Sequence, residues 1–232
     1  MVYDFEPKLL SIPGILNAER FIEYYLGLNA EYHRIQYDRK VLGMTAFNNG
    51  YIQVANEVSG KPEPMPVTKG TVIIDTSLTA KSSLPRLRFT ILHEGSHWLI
   101  HRRAFDENNP LGYVGVYENQ FLAAKEGRID YSRSQKERCD IEKIERQADF
   151  LASAILMPRP ALRTAYRDFF RFHGEKPRRI YRGGGSRIDE MFAVELPRYV
   201  ANEFGVSVRA ALIRLEKLTA IVDSRKWKCS FI

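Results

Sequence analysis

His93, Glu94 and His97, in the run HEGSH, have the types and spacing to hold a divalent metal and work with it. Helical residues four apart leave the same face, so both imidazoles could grip one ion at about 2.0–2.1 Å. Glu94 would stand beside that face, where it can reach a water on the ion without ligating, the place of a general base. Usual His and Glu frequencies would put an HExxH pattern in only about one percent of chains of this length. The competing reading is a core helix with two hydrogen-bonded histidines and Glu94 in an ion pair.

Two histidines leave a metal open, so a third protein ligand is needed. An HExxHxxGxxH site would require Gly and His at positions 100 and 103, where the chain has Ile100 and Arg103. That type is excluded. His101 lies on the same helix face as His93, but eight residues is about 12 Å along the axis, too far to share an ion. It is expected to be a satisfied histidine capping the helix end. The remaining source is a carboxylate on a second helix. IERQADFLASAILMP offers Glu145 and Asp149, four apart on one face. Glu145 would complete a His₂Glu set, and Asp149 could accept the second ring N–H of a ligand histidine. The same pair also fits an amphipathic helix that shows its acids to water, with Arg146 as partner.

The elements that must position these residues follow from periodicity and punctuation. Asn17 caps a helix through AERFIEYYL that stops at Gly27. Short β-type runs come next: EYHRIQY, then VLGMTAF and YIQVANEV either side of Asn48-Asn49-Gly50. KPEPMPVTKG reads as a Pro-rich loop and TVIIDTSL, at 71–78, as a buried strand that could bind substrate by adding to its edge. The HEGSH helix opens near Ser83-Leu84-Pro85 with Ser as cap, and its apolar residues run round nearly the whole circumference, so it should be buried. Residues 104–137 show no clean period and are long enough to include structure or a flap. Ile141, Ile144, Ala148, Leu151 and Ile155 then mark one face of a helix that Pro158 ends.

HEGSHWLIH followed by ERQADFLASAILMP resembles the ImmA/IrrE family of zinc metallopeptidases, as do GTVIIDTSL…RLRFTILHEGSHWLIH and VANEFGVSVRAALIRLEKL, so the likeness spans about 15–220. It implies one Zn²⁺ per chain on His93, His97 and Glu145, with Glu94 catalytic and Asp149 in a position where many members have Asn or Asp. It implies an α+β fold: a zincin-like metallopeptidase domain over 1–158, with a small antiparallel or mixed sheet, then a basic, mostly helical region over 159–232. It also implies a substrate, a DNA-binding repressor of a mobile element or stress response. Residues 1–80 read as helix plus strands, so that repressor would be a separate chain. The separation between the two motifs is longer than the family pattern, which affects the walls of the cleft. A further oxyanion donor is usual, and Tyr113, Tyr117, Tyr131 and His173 are all available.

Composition sets outer bounds. Of 232 residues 44% are hydrophobic and 27% charged, enough for a substantial core, and no run of about 18 apolar residues is present. The acidic start MVYDFEPKLLSIPG is unlike a secretory signal, and Cys139 and Cys229 lack metal spacing, so idle thiols in a reducing cytoplasm are expected. Residues 159–187 carry nine Lys/Arg against Asp168 and Glu175, an excess equal to the chain's whole net charge of +7. Such a patch, with Arg178, Arg179, Arg182 and Arg187, would attract nucleic acid or an acidic partner, or would simply be a solvated face. The tail has helix-turn-helix spacing, with Gly205 in the turn and Arg209 or Arg214 on the second helix. Two alternatives to a peptidase follow: a DNA-binding regulator with structural zinc, and a repressor-binding protein that does not cleave.

Overall fold

Thr71–Asp75, strand β5, is buried along its whole length: strands pair with both of its edges, and the helix Leu84–His101 packs against it. The computed structural model describes residues 2–35, 41–56, 58–105, 121–125 and 135–224. The fold is mixed α+β. The described chain divides into two compact units, Asn17–Ala152 and Met1–Leu16 with Ser153–Ile232. These are not the consecutive stretches 1–158 and 159–232 expected from sequence, because the first sixteen residues return to the C-terminal unit.

In the Asn17–Ala152 unit, β1 (Asn29–His33), β2 (Val41–Ala46), β5 and β6 (Phe121–Lys125) form a mixed sheet in the order β1-β5-β2-β6. β1 runs parallel to β5, while β2 is antiparallel to both β5 and β6. The buried interior position of β5 leaves no edge for an added strand, which corrects the expectation that 71–78 could bind substrate in that way. The run also turns into a short 3₁₀ helix at Thr76–Thr79. Asp75, fully buried, ends the strand by accepting the backbone N–H groups of Ile35 and Ser77, both at 2.9 Å.

β3 (Gly50–Ala55) and β4 (Pro62–Val67) form a separate two-stranded sheet, so KPEPMPVTKG supplies a strand and not only a loop. Pro62, Pro64 and Pro66 occupy every second position. Their missing N–H groups therefore fall on one edge, and the ladder to β3 is left intact. The segment after Asn17 is also not a plain α-helix. Asn17 caps Ala18–Arg20 by accepting from Arg20 N–H at 3.1 Å, and Phe21–Tyr25 then widens into a π-turn.

Helix α1 (Leu84–His101) packs across β2 and β5. Every residue from Thr90 to His97 is buried, as the apolar circumference requires, although Ile100 is 46% exposed. Ser83 makes no side-chain cap bond and ends a 3₁₀ turn that feeds into α1. Helix α2 (Gln135–Leu156) runs to the residue pair before Pro158, with Ala148 and Ile155 of its expected apolar face buried.

The other unit contains α3 (Arg159–Phe172), β7 (Ile180–Arg182), α4 (Arg187–Phe204), α5 (Val208–Lys217) and β8 (Ile221–Asp223), with β7 and β8 parallel. Gly205 ends α4 in the left-handed region at φ 60°, and Ser207 caps α5 by accepting from Ala210 N–H at 3.1 Å. Among the described residues no helix is long and apolar enough to cross a membrane. The side chains of Cys139 and Cys229 lie outside those described.

α1 can approach β2 closely because position 43 has no side chain. A Cβ on Gly43 would stand 2.8 Å from Thr90 Cγ2 and 2.9 Å from both Cγ and Oε1 of Glu94. Gly43→Ala should therefore destabilise the fold by about 1–3 kcal/mol, the usual cost of overpacking. Urea denaturation measures it, and an unchanged midpoint would mean that the helix can lift off the sheet freely.

Candidate metal centre

The polar side chains of α1 are placed by the spacing that suggested them. His93, Glu94 and His97 are at most 5% exposed. One helical turn separates the two imidazoles, and α2 lays Glu145 against both. His93 Nε2 is 3.1 Å from Glu145 Oε2, His97 Nε2 is 3.7 Å from Glu145 Oε1, and the two Nε2 atoms are 2.9 Å apart. One donor atom from each of the three residues lies within 4.8 Å of the others. All these residues belong to the Asn17–Ala152 unit.

The ring nitrogens facing away from this point are also engaged. His93 Nδ1 lies 3.0 Å from Asp149 Oδ1, and a carboxylate there can only accept, so Nδ1 carries a proton. His97 Nδ1 lies 3.0 Å from His101 Nδ1, and His101 Nε2 lies 3.0 Å from Gln147 Oε1. His101 therefore corrects the expectation of a helix cap: it backs His97.

Glu94 is held from the sheet side. The Thr45 hydroxyl donates to Glu94 Oε2 at 2.7 Å, and its oxygen is also 3.1 Å from the Glu94 carbonyl. Oε1 of Glu94 is buried and has no hydrogen-bond partner among the described residues. Burial pushes this carboxyl up to about 7, against the lowering effects of His93 and Thr45. A group in that range can both accept and release a proton near neutrality.

The electrostatics favour positive charge at the centre. Burial disfavours a charged His93, but Asp149, Glu145 and Glu94 outweigh it and push the group up to about 10. Burial likewise raises Glu145, yet His93 and His97 hold it down at about 2. Burial lowers His97, so one imidazole of the pair stays neutral. A neutral imidazole, a second with its Nε2 aimed inward, and an ionised carboxylate form a donor set suited to a borderline metal such as Zn²⁺. The residues fit that ion.

Sequence reasoning missed Thr45, Gly43 and Gln147. Thr45 and Gly43 act from a strand about fifty residues away, and nothing local marks them. The spacing of His101, four after His97, was the available signal: it reaches the far side of the neighbouring ring. The oxyanion candidates Tyr113, Tyr117 and Tyr131 lie outside the described residues. His173 lies in the other unit, ringed by Phe169, Phe172 and Phe192, with Nε2 3.7 Å from Glu195.

The four arginines proposed for an acidic partner also lie there. Arg178 bonds Asp189 at 2.6 Å, and Arg182 bonds Glu216 and Asp223, each at 2.8 Å. Arg179 and Arg187 are exposed. Arg214 is 5% exposed and reaches the Met157 carbonyl at 3.4 Å, which removes it from the candidate DNA contacts, while Arg209 stays at the surface.

The family model described as Peptidase_M78, IrrE N-terminal-like domain, matches residues 77–216. No curated protein and no solved structure matches the chain.

The geometry separates two carboxylates by role. Glu145→Ala should abolish tight zinc binding, whereas Asp149→Ala should weaken it by roughly 10–100-fold, the usual cost of losing a partner behind a ligand histidine. Competition against a chromogenic chelator measures both. Equal losses would mean that Asp149 itself ligates.

Proposed function

Since the chain belongs to the Peptidase_M78 (IrrE N-terminal-like) family, we propose that it is a zinc-dependent endopeptidase that cleaves a separate, DNA-binding repressor protein in the cytoplasm. The observation that carries the reading is the convergence of His93, His97 and Glu145 beside a buried Glu94 with one unpartnered oxygen. A structural zinc would normally be closed by a fourth protein ligand, and the described residues bring together only these three. This favours catalysis over a structural-zinc regulator.

His93, His97 and Glu145 would hold the zinc, which supplies a Lewis acid for the scissile carbonyl and acidifies water. Glu94 takes a proton from the attacking water on Oε1, the oxygen left over once Thr45 has engaged Oε2. It then passes that proton to the departing amine nitrogen. Thr45 keeps the carboxylate from rotating, so the same oxygen receives and returns the proton. Asp149 holds the His93 ring by accepting from Nδ1, so that Nε2 is the nitrogen that would meet the ion.

The repressor substrate rests on family likeness. Pairing within the C-terminal unit of Arg178 and Arg182, and the burial of Arg214, weigh against direct DNA binding as the main activity.

Glu94→Gln should keep stoichiometric zinc and reduce peptide cleavage by at least about 10²-fold, the contribution typical of a general base. Metal analysis beside a protease assay on the candidate repressor tests this. Cleavage retained by a zinc-loaded variant would overturn the mechanism.

A further inference from the structure

His101 and Gln147 make the outer part of a hydrogen-bonded row that starts at the metal centre. His97 Nδ1 meets His101 Nδ1 at 3.0 Å, and His101 Nε2 meets Gln147 Oε1 at 3.0 Å. His101 is 6% exposed, whereas Gln147 is at the surface. A neutral imidazole has one N–H and one bare nitrogen, so protons in such a row must all point the same way.

Two directions exist, and they have opposite consequences. If each ring donates outward, His97 carries its proton on Nδ1, His101 carries its own on Nε2, and Gln147 accepts through Oε1. His97 Nε2 is then bare and can ligate. If the row runs inward, the Gln147 amide donates, His101 donates from Nδ1, and His97 is left with its proton on Nε2. A ring in that form cannot hold the ion through Nε2. The acceptor at the outer end therefore decides whether the inner nitrogen is a ligand.

We propose that His101 and Gln147 are positioning residues that fix His97 in its ligating tautomer, doing for His97 what Asp149 does for His93. This rests on reading His93, His97 and Glu145 as a zinc site. The two histidines are thus backed differently: His93 by a charged acceptor directly, His97 through a neutral imidazole that passes the direction on. Position 147 tests this cleanly because a surface side chain can be changed with little effect on packing. Glu is an acceptor only and locks the outward direction, whereas Leu sets none.

The experiment is zinc affinity of the full-length chain by chelator competition at one pH, for wild type, His101→Phe, Gln147→Leu and Gln147→Glu. Circular dichroism of each metal-free variant checks the fold. His101→Phe should bind zinc roughly 10–100-fold more weakly. Gln147→Leu should show a smaller loss, and Gln147→Glu should bind at least as tightly as wild type. Wild-type affinity in a folded His101→Phe, or identical affinity in the Leu and Glu variants, would overturn the proposal. If His101→Phe fails to fold, the pair at position 147 decides alone. A wild-type chain with no affinity for zinc would sink the metal site and this proposal together, a result distinct from any difference among the variants.

Discussion

Burying a helix that carries two histidines and a glutamate is the constraint on which the rest of this unit depends. The run Thr90–His97 has no solvent-facing side for its polar groups. A buried charge without a partner costs several kcal/mol, so each group needs a specific neighbour. Glu94 finds Thr45, the two histidines find Glu145, and their outer nitrogens find Asp149 and His101. Gly43 is the steric counterpart. The sheet comes near enough for Thr45 to reach only because nothing projects from position 43.

The same arrangement accounts for the chemistry. Carboxylates on three sides of His93 favour a positive charge near its Nε2, and they do so whether that charge is a proton or a metal ion. Burial keeps Glu94 close to a neutral–anionic balance, while Thr45 occupies one of its oxygens. Groups needed to satisfy a buried helix are thus the groups that prepare ligands and a base. Stability and reactivity share one network here, and its members couple instead of adding independently.

Sequence revealed those features that repeat at helical spacing. His93 with His97, and Glu145 with Asp149, are each four apart, so their common faces could be read directly. The buried strand at 71–75 was legible from its apolar, β-branched centre Val72–Ile74. Contacts made between a strand and a helix distant in sequence were not legible, which is why Thr45 and Gly43 went unnoticed. Composition misled at residues 62–67, where three prolines suggested a loop. Their period of two in fact suits one edge of a strand pair. The interior place of β5 depended on which strands flank it, and no local pattern encodes that.

Charge counting along the C-terminal segment shows a related limit. Nine cations between 159 and 187 suggest a binding surface, but the count ignores acids supplied from elsewhere in the same unit. Asp189, buried, accepts from Arg178 and also from the Tyr181 N–H at 2.8 Å. Asp223 on β8 and Glu216 on α5 converge on Arg182. These arginines tie the loop and β7 to the helices around them, so their charge is committed to the fold. Arg178 stays exposed even when paired, and Arg159, Arg163, Arg167, Arg179 and Arg187 also face outward. A patch of that kind can steer an acidic protein segment through long-range attraction. Reading DNA would demand more: side chains on an exposed recognition helix that reach base edges, and the burial of Arg214 leaves α5 with Arg209 as its one exposed arginine.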